Sequence, residues 1–233
     1  MRTIGFIGVY DKTDFMLHIA KVLTELNNKV LLIDASIPQK AKYIVPVINP
    51  TLSYITEYEK IDVAIGFKTM EEINKFMAIT EDKKLDYDYI LIDIDTKEAF
   101  EGFDILYSDR RYFVTSFDVY CLKKGLSILE NIKEQTNMTK VSFSNGVQKD
   151  DDEYINFLSQ NYNILWNKNR IFMPIDNGDQ SVIVENQRLE KIGVKKLSVQ
   201  YKENLMYILE DIAEGKTTLA QIKKTFKNIE KEG

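Results

Sequence analysis

The chain has 233 residues, 44% of them hydrophobic and 29% charged, the proportions of an ordinary globular protein able to bury a sizeable core. One cysteine, Cys121, and one histidine, His18, exclude an intramolecular disulfide or a cysteine-built zinc site, and leave little for histidine-based metal binding or Ser-His and Cys-His catalysis. A net charge of −5 argues against a surface that binds nucleic acid throughout, though it leaves a local basic patch open, and no apolar run approaches the ~20 residues of a membrane span.

The first residues run directly into an apolar strand pattern and lack the charged-then-apolar layout of a signal peptide, so a cytoplasmic chain is expected. Residues 3–8 (TIGFIG) read as a short buried strand. A helix follows over 13–26, with Phe15, Ile19, Val22, Leu23 and Leu26 at helical spacing. His18 lies inside that pattern and reads as a packed or partly exposed helix residue rather than a catalyst. Residues 29–34 (KVLLID) are the continuous apolar run that a central parallel strand needs when helices cover both its faces. A strand at 61–67 (IDVAIGF) leads into a helix near 70–77, and residues 87–94 (YDYILIDI) carry the strongest strand pattern of the chain. Strands at 111–115 (RYFVT) and 140–144 (KVSFS) bracket a helix over 120–132. A last strand at 170–174 precedes helices near 182–189 and 199–212. This alternation predicts βαβ units and hence an α/β fold, a doubly wound, mostly parallel sheet flanked by helices. No linker, low-complexity tract or internal repeat interrupts the pattern, so residues 1–215 are expected to form one domain, with residues 216–233 as a C-terminal basic amphipathic helix. The acidic run at 149–153 (KDDDE) reads as a solvated helix start, where carboxylates favour the positive end of the helix dipole; its spacing lacks the fixed loop of an EF-hand.

In an open parallel sheet, ligands gather at the carboxyl ends of the strands, where the first loop meets a helix N-terminus. That loop is Gly8-Val9-Tyr10-Asp11-Lys12-Thr13. A working phosphate loop uses glycines so that backbone N–H groups can wrap phosphates, a lysine for charge, and a Ser or Thr to hold Mg2+. Lys12 and Thr13 stand where that pair belongs, and Gly8 suits a close backbone approach.

The chain resembles the ParA/MinD family of nucleotide-dependent positioning ATPases, which share a P-loop NTPase-like fold. Family members carry a deviant K-G-G-x-G-K-T loop after the first strand, then a strand ending V-L-L-I-D, and later one of the form Y-D-Y-I-I-I-D. Here Val30–Asp34 reads VLLID and residues 87–93 read YDYILID. Residues 108–129 (SDRRYFVTSFDVYCLKKGLSIL) are similar to the family's A-D-x-apolar-apolar-V-x-x-P segment with its leucine-rich helix. The likeness runs on through the strand ending near Asn145 to the segment IFMPIDN from Ile171, and so spans nearly the whole chain. It implies a homodimer and a site for ATP and Mg2+. In that site Lys12 would contact phosphates, Thr13 and Asp93 would hold Mg2+ with Asp34 as neighbour, and Asn145 would read the base.

The departures bear on the same residues. Asp11 and Val9 replace two loop glycines, and the family's signature lysine falls at Ile7. A carboxylate at Asp11 repels phosphate oxygens. A β-branched side chain at Val9 obstructs the approach of the backbone or a positive φ. Ser36 stands where the family often has a second acidic residue that assists hydrolysis. Each surviving residue therefore has two readings. Lys12 is a phosphate ligand or a solvated first-turn lysine; Asp34 and Asp93 hold Mg2+ or simply end buried strands. Asp95 reads as a turn residue, and Asn145 followed by Gly146 is also an ordinary turn signal.

Near the end, Leu219, Ile222, Phe226 and Ile229 form one stripe of a helix flanked by Lys223, Lys224, Lys227 and Lys231. Such a helix can lie on an anionic membrane or in a partner's groove, as the membrane-seeking end of MinD proteins does; it can equally dock on its own domain. A peripheral place at the membrane is thus the alternative to a free cytoplasmic one.

Two functions remain. The first is a pseudo-ATPase, without cofactor, that keeps the fold as a dimerisation and docking surface for a protein partner. Its setting would be plasmid or chromosome partition, a secretion or pilus apparatus, or division-site placement. The second is a weak switch in which ATP and Mg2+ set the state of the dimer. A metabolic ATP-dependent ligase would need an intact loop. Non-specific DNA stays open as a partner, with no aromatic and basic interleaving to point to it.

Overall fold

The computed structural model describes residues 1–47, 52–80, 85–144, 146 and 151–232. Among these, eight strands form a single sheet: β1 (Arg2–Ile7), β2 (Val30–Asp34), β3 (Tyr54–Tyr58), β4 (Ile61–Ile65), β5 (Tyr89–Ile94), β6 (Arg110–Ser116), β7 (Thr136–Ser144) and β8 (Ile164–Pro174). Their order is β3-β4-β2-β5-β1-β6-β7-β8. All neighbours run parallel except β3, which is antiparallel to β4 at one edge. The chain winds from β1 to one side and then crosses back to β6 on the other, which makes the carboxyl ends of β1 and β5 the crevice of the sheet.

The inner strands are apolar on both faces because helices cover both. On one face Phe6, Leu32, Leu91 and Val114 pack under α1 (Thr13–Glu25), α2 (Ala41–Ile44), α8 (Val199–Ile212) and α9 (Leu219–Glu232). On the other, Ile7, Ile33, Ile92 and Phe113 pack under α3 (Met70–Thr80), α4 (Lys97–Gly102) and α5 (Val119–Ser127). α6 (Asp151–Ser159) and α7 (Asn177–Arg188) flank β8 in sequence. Side-chain caps fix several helix starts: Thr96 accepts from Ala99, Asp118 from Cys121, Asp176 from Gly178 and Ser198 from Tyr201.

The doubly wound parallel sheet is the one the sequence implies, with local differences. Strand β3 escapes sequence reading because its hairpin to β4 turns at Glu59 and Lys60, both with positive φ (49° and 69°). That turn ordinarily advertises itself by Asn-Gly or Asp-Gly. Strands β7 and β8 begin well before the expected residues 140 and 170. β8 is an edge strand, and its exposed polar stretch from Asn167 to Arg170 hides the ladder. The expected helix 120–132 ends at Ser127, and Asn131 has φ 65°.

Candidate functional site

Strand β1 ends at Ile7 and the loop to α1 occupies the crevice. Gly8 has φ 140°, and a Cβ there would sit 2.0 Å from the carbonyl oxygen of Val114 on β6, so the position demands glycine. Its N–H bonds Ile94 O at 2.9 Å, which pins the loop to β5. Val9 tucks against the second core, and Tyr10 stacks on Phe143 with ring centroids 4.7 Å apart.

Lys12 is buried, with 2% of its surface exposed. Its ammonium donates to Gly8 O at 2.6 Å and lies 2.6 Å from Asp93 Oδ1 in an ion pair. Burial pushes the Asp93 carboxyl up, Lys12 draws it back and Asp34 pushes it further, leaving its pKa at about 7. Asp34 lies beside Asp93 in the β2–β5 register. Its two oxygens are taken by Ser36 N at 3.1 Å, Ser36 Oγ at 2.6 Å and Ala41 N at 2.9 Å. Asp34 thus ties down the chain between β2 and α2. Asp95 accepts from Ile37 N at 3.0 Å, which makes it a loop anchor, and burial raises its pKa. Thr13 is buried at the first position of α1 and lines the cleft with Ser36, Pro38 and Tyr43. That cleft has a volume of about 340 Å³.

Asp11 is the residue that changes the chemistry of the loop. One oxygen accepts from Thr13 N at 3.2 Å, at the start of α1, where a helix N-terminus would otherwise receive an external anion. The other accepts from Lys40 Nζ at 2.6 Å, and Lys40 also holds Asp14 at 2.7 Å. Burial acts to lower the Lys40 pKa, but Asp14 and Asp11 outweigh it and hold the lysine above its ordinary value. Lys40, Asp14 and Gln187, whose amide donates to Asp14 at 2.9 Å, carry no sequence signal; only the fold brings them together.

The charges of the cleft are paired among themselves. Three carboxylates in the cleft wall, Asp11, Asp93 and Asp95, face two lysines, Lys12 and Lys40, both of which are ion-paired. Gly8, Asp11, Lys12, Thr13, Asp34 and Asp93 do converge at one point of the fold. Asn145 lies outside the described residues.

The C-terminal stripe lies elsewhere. Ile222, Phe226 and Ile229 are buried against the body of the domain, Leu219 is half-buried, and Lys202 reaches Glu230 at 2.7 Å. Lys223, Lys224, Lys227 and Lys231 point outward. Among the described residues, no helix is long and apolar enough to cross a membrane.

No protein-family model matches the chain, and no curated protein sequence matches it. Solved structures do. A ParA family ATPase from Chlorobium tepidum superposes with a TM-score of 0.56 at 15% identity, over 89% of this chain and 97% of that one. An ATP complex of McdA from Cyanothece gives 0.57 at 11% identity, over 94% and 98%. The MinC:MinD cell division protein complex from Aquifex aeolicus gives 0.52 at 13% identity, over 98% and 96%. The chain therefore has the ParA/MinD-type, P-loop NTPase-like fold.

Proposed function

We propose that the chain is a non-catalytic relative of the positioning ATPases, a module that dimerises and docks on a protein partner in the placement or assembly of a larger cellular structure. The observation that carries this reading is the occupation of the loop by its own groups. Asp11 sits on the amide at the start of α1, and Lys12 is spent on Asp93 and Gly8 O. A phosphate chain would have to displace the Asp11 carboxylate from that amide and draw Lys12 away from Asp93 and Gly8 O.

The surface supports the docking half. Ile37, Tyr43, Leu52, Val119 and Tyr120 are large, apolar and more than half exposed, and all follow or precede strands at the carboxyl edge of the sheet. Apolar side chains gathered at one end of a molecule mark an interaction face. A solved relative, MinD, is known in a complex with MinC, which lends the partner reading its precedent.

The alternative, a weak Mg·ATP switch, draws on Lys12 and Thr13 opening α1 and on Thr13 lining the cleft. Light scattering on the purified chain of 27.1 kDa separates the two. A mass of two chains with and without Mg·ATP supports the module. One chain alone and two with Mg·ATP would establish the switch, and one chain under both conditions would remove dimerisation.

A further inference from the structure

The edge hairpin, α1 and α7 meet around a small cavity of about 10 Å³. Tyr58 lines it from β3, Asp14 and His18 from consecutive turns of α1, and Asn186 and Gln187 from the last turns of α7. A cavity holds one water when about 10–15 Å³ is open to a water-sized sphere and two to four polar groups stand around it.

Tyr58 is 4% exposed, and its hydroxyl is fully buried with no hydrogen-bond partner in the protein. Native proteins leave few buried hydroxyls in that state, because the lost bonds to solvent go unreplaced. Burial first, then the charges of Glu59 and Asp14, raise its pKa, so the hydroxyl keeps its proton and can donate. His18 is 2% exposed; its Nδ1 lies 3.2 Å from Tyr201 Oη, and its Nε2 has no partner among the described residues. Gln187 gives its amide nitrogen to Asp14, and Asn186 gives its own to Gly193 O at 2.7 Å. Both side chains keep an oxygen that can accept.

We infer that this cavity binds one structural water molecule, bonded to Tyr58 Oη and joining it to His18 Nε2 and to an amide oxygen of α7. The volume excludes any ligand of more than one heavy atom. A monovalent cation is the other occupant of that size, and the ammonium of Lys191, which lines the same cavity, opposes it. The water completes a seam that direct bonds begin. Glu59, next to Tyr58, accepts from Ile192 N at 3.1 Å and pairs with Lys21 at 2.8 Å, which ties the hairpin to the segment after α7 and to α1. One residue further into β3, the water makes a second tie among the same three parts of the chain.

Tyr58→Phe removes the hydroxyl and nothing else. Oxygen-17 relaxation dispersion of the solvent counts the long-lived internal waters of the full chain and of this variant. The parent is expected to hold one more than the variant, and the variant to melt at a lower temperature, because the water has lost a partner. Equal counts would overturn the site. A higher melting temperature would do the same, since deleting a buried hydroxyl that bonds nothing is stabilising. A crystal structure of the parent chain gives a check that needs no variant. An oxygen within about 3 Å of Tyr58 Oη is the expected result. A dry cavity would refute the inference, and an atom there that rubidium replaces, seen by its anomalous signal, would make the occupant a cation instead.

Discussion

Replacing Lys12 by methionine removes the ammonium from the buried pair at nearly constant volume. Truncating one partner of a buried ion pair ordinarily costs about 3–5 kcal/mol, because a charge is left without its counter-charge. Asp93 has an escape. Its carboxyl already titrates at about 7 with Lys12 present, against 3.8 in an unfolded chain, so it can shed its charge by binding a proton. The sign follows from proton linkage. Between pH 4 and 7 the folded chain binds the extra proton, so this group makes stability fall as pH rises, and the fall ends above 7 when both states are ionised. In Lys12→Met the folded pKa moves higher still, and the fall continues. The variant should thus lose well under 1 kcal/mol through this pair at pH 7, about 1 kcal/mol at pH 8 and about 3 kcal/mol at pH 9. Denaturant unfolding of both proteins from pH 6 to 9 measures the difference. A loss of several kcal/mol at pH 6, unchanged at pH 9, would refute the reasoning and show that Asp93 stays ionised in the core.

Gly8→Ala forces a Cβ to within 2.0 Å of Val114 O at a positive φ, and should destabilise the fold by about 3 kcal/mol or more in urea titration. His18 is fully buried beside Tyr201, with Nδ1 3.2 Å from the tyrosine oxygen, and burial lowers its pKa to about 4. A lowered folded pKa means stability is full above about 6.5 and drains as pH falls toward 4, by about 3 kcal/mol in all. As the one histidine of the chain, its NMR titration is free of overlap; a midpoint near 6.5 would contradict this. Phe226→Ala empties a buried site between α9 and the domain. It should cost about 3 kcal/mol if unfolding is global. If α9 undocks alone, faster hydrogen exchange confined to residues 219–232 replaces that loss.

The fold could be read from the chain because its central strands are buried on both faces, which forces runs such as VLLID and YILIDI that no surface element would carry. The edges were less legible. Strand β3 turns through Glu59 and Lys60 without a glycine, and the edge strand β8 is polar along its middle. The site divides in the same way. Asp11 and Val9 announce a changed loop by their identity alone. That Asp11 accepts from the Thr13 amide and grips Lys40, 29 residues on, depends on how β2 delivers the chain back to the mouth. Asp34 likewise looks like a metal-site neighbour or a strand end in sequence, and Asp95 like a turn residue; their bonds to Ser36, Ala41 and Ile37, which brace one loop, come from the fold. For the C-terminal stripe the spacing allowed docking or membrane contact equally; the burial of Ile222, Phe226 and Ile229 is a tertiary fact.

Calorimetric titration of the purified chain with ATP, with and without Mg2+, tests the self-filled loop most directly. No saturable heat and an unshifted melting temperature at millimolar nucleotide are the expected results. Sub-millimolar, Mg2+-dependent binding that disappears in Lys12→Ala would contradict it, and would return the chain to the nucleotide switches whose fold it has.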